Sequence, residues 1–185
     1  MDDIDIKSVG LKKLRSNIAV IPQDPVLFSG TIGTNLDPFK KHSETKLIDV
    51  LTRIGLYENG SSSSPAIKSL DDKVEQDGSN YSAGQRQLLI IGRALLDGAS
   101  VVICDEATSS IDAEADSRIQ RVFRTDFEKS TTLTVAHRLN TILDSTHILV
   151  MDDGKAVEFD SPKELLAKGG FFKDLVDKYE AEHKG

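Results

Sequence analysis

Two acids close an apolar run at residues 101–106 (VVICDE). A continuous apolar, partly β-branched run reads as a strand covered on both faces, and parallel α/β sheets present ligand groups at the carboxyl ends of their strands. Asp105 there offers the hard oxygen that Mg²⁺ prefers. Glu106 could orient and polarise a water attacking a γ-phosphate. Plain capping of residues 107–110 suits the same pair about equally. A second candidate is YSAGQ at residues 81–85, opening a helical stretch. A helix start exposes free N–H groups and a charge of roughly +0.5. Ser82 adds a hydroxyl, and the small Ala83 and Gly84 let a phosphate approach. An ordinary helix cap explains Ser82 as well. Gln23 follows an apolar run at residues 17–22 and could contact Mg²⁺ or water. His137 follows another at residues 131–135 and could hydrogen-bond a γ-phosphate, although a lone His is more often structural. Each signal is weak alone; their succession (strand–Gln, helix-start SxGQ, strand–DE, strand–His) is not.

The elements that must hold these groups alternate. Residues 17–22 read as a strand stopped by Pro22, and residues 23–36 as a loop rich in Gly and Pro. Apolar residues at Leu47, Ile48, Leu51 and Ile54 predict a helix over 43–56. Residues 58–65, with NGSSSSP, read as a surface loop. The clearest helix spans 82–96, with Gly92 inside it costing roughly 1 kcal/mol relative to Ala. Strand 101–104, helix 113–127 and strands 131–135 and 147–151 follow. Asp153-Gly154 predicts a hairpin turn leading into residues 156–159. Ser161-Pro162-Lys163-Glu164 is a capping box with Pro at the first helical position. A last helix, 171–179, is expected to pack by Phe171, Phe172, Leu175 and Val176. Strands alternating with helices predict a parallel α/β sheet.

The chain has 185 residues, 38% of them hydrophobic, with a net charge of −7. That suits a globular protein with a real core and disfavours nucleic acid as the main partner, since phosphate backbones select basic faces. No apolar run approaches membrane-spanning length, and Met1-Asp2-Asp3 is not the start of a signal peptide. The single cysteine, Cys104, cannot form an internal disulfide and reads as strand core.

Taken together, the motifs resemble the nucleotide-binding domain of ABC transporters along nearly the whole chain. SAGQ (Ser82, Ala83, Gly84, Gln85) is similar to the signature motif, and VVICDE to Walker B followed by the catalytic glutamate. SSID, with Ser109 and Asp112, resembles the D-loop, and His137 the switch histidine. IPQDPVLFSGTIGTNLDPF at 21–39 resembles an exporter Q-loop with Gln23 as its glutamine. VEQDGSN at 74–80 resembles the segment that meets transmembrane coupling helices. With AHRLNTI and EFDSPKELL, the likeness is greatest to the second such domain of the multidrug-resistance-associated (C) subfamily. The resemblance implies a P-loop NTPase-like (RecA-like) α/β fold with a parallel sheet and an ABC helical subdomain. Its parts would be a Q-loop region at 1–36, the helical subdomain at 37–98, a Walker B to switch-histidine core at 99–160 and C-terminal helices at 161–185. It further implies ATP and Mg²⁺ as ligands, with Glu106 and His137 catalytic and with Asp105 and Gln23 at the metal. The implied partners are a second nucleotide-binding domain, in a head-to-tail dimer, and the transmembrane domains of an exporter. The implied place is the cytoplasmic face of a membrane. Ser82, Ala83, Gly84 and Gln85 would serve the partner's ATP.

Within these 185 residues the family's GxxxxGK[ST] loop does not occur; Gly154-Lys155 lies in the predicted hairpin instead. The fold is therefore expected to be incomplete at its N-terminus. The chain alone is expected to bind ATP poorly, to turn over almost none, and to be poorly soluble. A competing reading is a non-catalytic fragment that pairs with an intact cassette. A soluble ABC ATPase of the DNA-repair or translation type is disfavoured by residues 21–39.

Overall fold

The computed structural model describes residues 3–57, 67–105, 111–135 and 142–183. In chain order, α1 (Leu11–Arg15) leads into β1 (Ile18–Ile21). Then come β2 (Gly30–Thr31), α2 (Ile32–Leu36), α3 (Glu44–Arg53), β3 (Lys73–Val74) and α4 (Ala83–Asp97). The chain continues through β4 (Val101–Asp105), α5 (Ala113–Asp126) and β5 (Thr131–Val135). After these lie β6 (Ile148–Asp152), β7 (Lys155–Asp160), α6 (Pro162–Lys168) and α7 (Phe171–His183). Contacts divide the chain into two units, Met1–Val135 and Ala136–Gly185.

The first unit is built on a parallel sheet in the order β1-β4-β5. Ile21 stands beside Cys104, and Asp105 beside Val135. One face buries Ala19, Ile21, Val102 and Cys104, with α4 packed on β1. On the other face the aligned row of Val20, Ile103 and Leu133 leaves Val20 60% and Leu133 54% exposed, with Val135 nearby at 52%. The sequence predicts strands covered on both faces; β5 departs from this, with all five residues exposed. Among the described residues it is an edge strand, paired only with β4, so half of its backbone lacks a strand neighbour.

Helix α4 forms where its sequence dictates. Ser82 caps its start, Gly98 ends it in the left-handed conformation at φ 60°, and Leu88, Leu89 and Ile91 are buried between those limits. Gly92 is explained by packing. A Cβ there would lie 3.2 Å from Ile54 Cδ1 and from Leu36 Cδ2, and 3.3 Å from Val50 Cγ1. The missing side chain, at a cost in helix propensity, is what allows α2 and α3 to close on α4. Within the predicted loop 23–36 the structure adds a one-turn helix, α2, started by a capping box between Thr31 and Thr34.

The second unit is a β6–β7 antiparallel hairpin backed by α6 and α7. Asp153 (φ 45°) and Gly154 (φ 72°) form its two-residue turn, both left-handed as a type I′ turn requires. Ser161 caps α6 with Pro162 at its first position. Ile148, Leu165, Phe172 and Val176 make the core. Phe171 and Leu175, expected to pack from the sequence, are exposed. They form a second i, i+4 stripe beside the one that α7 buries. No helix among the described residues is long and apolar enough to cross a membrane.

Candidate functional site

Gln23 and Asp105 arrive at one sheet edge because β1 and β4 run parallel and in register. Gln23 lies two residues past Ile21, Asp105 one residue past Cys104, and both side chains are exposed. Glu106, Ser109 and His137 lie outside the described residues. Among the described residues no three His, Cys, Asp or Glu side chains gather as a metal cage. Mg²⁺ usually takes one or two protein oxygens and fills its octahedron with phosphate and water. The Asp105 carboxylate and the Gln23 carboxamide oxygen have the hard chemistry it needs.

A second group assembles at the start of α4. Ser82 Oγ accepts from the Gln85 backbone N–H at 3.2 Å, and Gln85 Oε1 accepts from the Ser82 N–H at 2.9 Å. The cap holds the Ser82 hydroxyl in place while its O–H can still donate outward. Gly84 is buried. A Cβ on it would sit 2.5 Å from Ala115 Cβ, 3.2 Å from Ile111 Cγ2 and 3.5 Å from Asp112 Oδ2. The space at residue 84, expected from sequence to admit a phosphate, is thus occupied by the start of α5. Asp112 caps that helix, its Oδ1 accepting from the Ala115 N–H at 2.9 Å. The structure therefore brings residues 82–85 and Asp112 together.

Sequence reasoning missed what ties these groups to the loop after Gln23. Arg93 of α4 donates to Asn35 O (2.5 Å), Asn35 Oδ1 (2.9 Å) and Val26 O (3.1 Å), and its guanidinium lies over the Phe28 ring. Burial lowers its pKa from the usual arginine value. Asn35 is itself buried; it donates to Phe28 O and Thr31 O and accepts from Phe28 N. Gln87 Nε2 donates to Pro22 O at 3.2 Å. Residues 75–80 close over the same loop, since a Cβ on Gly78 (φ 68°) would meet Leu27 Cδ1 at 2.7 Å. Long-range side-chain bonds of this kind leave no periodic trace in a sequence.

The parallel β1-β4-β5 sheet, with α4 packed on β1 and an acid at the end of β4, is that of the P-loop NTPase-like class, and a solved structure bears this out. Residues 1–109 match the ABC transporter domain, and the chain belongs to that family. It is 45% identical, over its whole length, to "ABC transporter C family member 5" of Arabidopsis thaliana, covering 12% of that protein. It is 48% identical, over 93% of its length, to "ATP-binding cassette sub-family C member 3" of Mus musculus, covering 11% of it. The solved structure of a bacterial Atm1-family ABC exporter with ATP bound overlays with a TM-score of 0.83 at 29% identity, over 96% of this chain and 31% of that one. The chain thus spans about an eighth of the length of the curated relatives it matches.

Proposed function

We propose that the chain is the catalytic-acid half of an ATP-binding and ATP-hydrolysing domain in an exporter of the C subfamily. The observation that supports this best is that Gln23 follows β1 and Asp105 closes β4 at the same carboxyl edge of two adjacent parallel strands, in a chain of this family. Mg²⁺, when bound with ATP, supplies charge neutralisation at the phosphates. Asp105 and Gln23 offer oxygen toward it. Glu106 orients the attacking water and accepts its proton, and His137 hydrogen-bonds the γ-phosphate. Ser82, Ala83, Gly84 and Gln85 serve the ATP of a second nucleotide-binding domain arranged head to tail, and Ser109 and Asp112 act as the D-loop. The domain works on the cytoplasmic face of a membrane, against the transmembrane helices of the exporter.

The test is phosphate release by the transporter that carries this chain together with a GxxxxGK[ST] segment. Glu106→Gln should lower turnover at least ~100-fold while nucleotide still binds, the usual range for loss of a general base. Unchanged turnover would remove Glu106 from this role. The reading as a non-catalytic pairing fragment is favoured by one feature, the preformed cap of Ser82 and Gln85 on an exposed helix start. It predicts that the 185-residue chain associates with an intact cassette in the presence of ATP, and that Ser82→Arg abolishes the association.

A further inference from the structure

Gln87 is only 1% exposed, yet it is poorly explained by stability. Its Nε2 donates to Pro22 O across 65 residues of chain, while its Oε1 is buried with no hydrogen-bond partner. The desolvation cost of an orphan acceptor is about as large as the gain from the one bond that is made. An apolar side chain of the same length would serve the core at least as well.

What the amide does accomplish is geometric. Pro22 has no N–H and its ring fixes φ, so its carbonyl is its one polar handle. The peptide that joins it to Gln23 is planar. Holding the carbonyl therefore fixes the direction in which Gln23 leaves the sheet. Arg93, further along the same helix, holds the loop again at Val26 and Asn35.

We propose that Gln87 is a positioning residue that locks the Pro22–Gln23 peptide to α4, so that Gln23 follows the helix that begins at Ser82. The functional weight of this rests on the role given to Gln23 above. Motion of α4 on engagement of Ser82 then reaches the Pro22–Gln23 peptide directly through the Gln87 hydrogen bond.

The test is Gln87→Met in the full chain, which keeps length and volume and removes both the donor and the orphan acceptor. Hydrogen exchange is read by mass spectrometry without nucleotide. Residues 23–28 should exchange about fivefold faster, the loss of one ordinary hydrogen bond, with α4 and β4 unchanged and the melting temperature not lowered. Unchanged exchange at 23–28, or a rise spread over the whole first unit in step with lost stability, would overturn the proposal. A second measurement needs no variant. In the parent chain one Gln87 Nε2 proton should exchange at least ~10-fold more slowly by NMR than those of exposed glutamines; equally fast exchange would refute the lock. Neither reading involves ATP, so failure here leaves the assignment of Gln23 to the metal standing. Conversely, Gln23→Ala with unaltered turnover would sink that assignment and leave the coupling intact.

Discussion

Replacing Gly84 by Ala tests the contact that joins the start of α4 to the start of α5. The added Cβ would lie 2.5 Å from Ala115 Cβ and 3.2 Å from Ile111 Cγ2. Non-bonded carbons settle at about 3.5–4.0 Å, so the helix starts must separate by about 1 Å. Overpacking of this kind costs about 1–3 kcal/mol. Better helix propensity returns up to about 1 kcal/mol, less in a first turn than mid-helix. The expected net loss is about 1–2 kcal/mol, read as a lower urea midpoint at unchanged slope. The decisive arm is a double-mutant cycle with Ala115→Gly, which removes the atom that clashes. Ala115→Gly alone should cost about 1 kcal/mol, and adding Gly84→Ala to it should cost nothing further. Strict additivity of the two changes, or a neutral Gly84→Ala, would show that the small residue at 84 is not a matter of packing.

Arg93→Ala should destabilise the first unit by about 3 kcal/mol, because two of the bonds it removes go to the buried Asn35 and each charged hydrogen bond is worth about 1.5 kcal/mol or more. Arg93→Lys should recover less than half of that in denaturant unfolding, since an ammonium cannot reproduce the planar fork. In the second unit, hydrogen bonds from Glu164 and Lys168 hold the Asp160 carboxyl well below the usual aspartate range, and Asp160 in turn raises Glu164. The depressed Asp160 and the raised Glu164 contribute to stability with opposite sign as pH falls, so the titration of Glu164 is the readout rather than the melting temperature. In the Asp160→Asn chain, carboxyl NMR should show Glu164 titrating lower than before. A Glu164 titration that does not move would break the link between the two groups.

Local chemistry made much of this fold legible in the sequence. Ser82 and Ser161 cap the helices they are expected to cap, Ser43 caps the helix predicted to start there, and Asp153-Gly154 forms the predicted hairpin turn. These signals act over three or four residues. Helix α2 was hidden because five residues carry no period and its start depends on Thr31 and Thr34 rather than on an apolar stripe. In α7 two adjacent apolar stripes were equally good, and only tertiary packing selects Phe172 and Val176. At the site, strand-end arithmetic accounts for where Gln23 and Asp105 fall in the chain, just past β1 and at the end of β4. The roles of Gly84, Gly92, Gln87 and Arg93 depend on residues distant in the chain, which no local pattern encodes. Glu106, Ser109 and His137 lie outside the described residues, so their roles stand as proposals.

The bare side of the β1-β4-β5 sheet has a practical consequence. Val20, Leu133 and Val135 lie exposed on one face, while on the reverse face β1 and β4 bury Ala19, Ile21, Val102 and Cys104. Such a sheet carries an exposed apolar face set by strand register and not by any flexible tail. Its behaviour on a column or in a concentrator will be governed by that side, so dyes and mild detergents that favour apolar planes should report on this chain long before it unfolds.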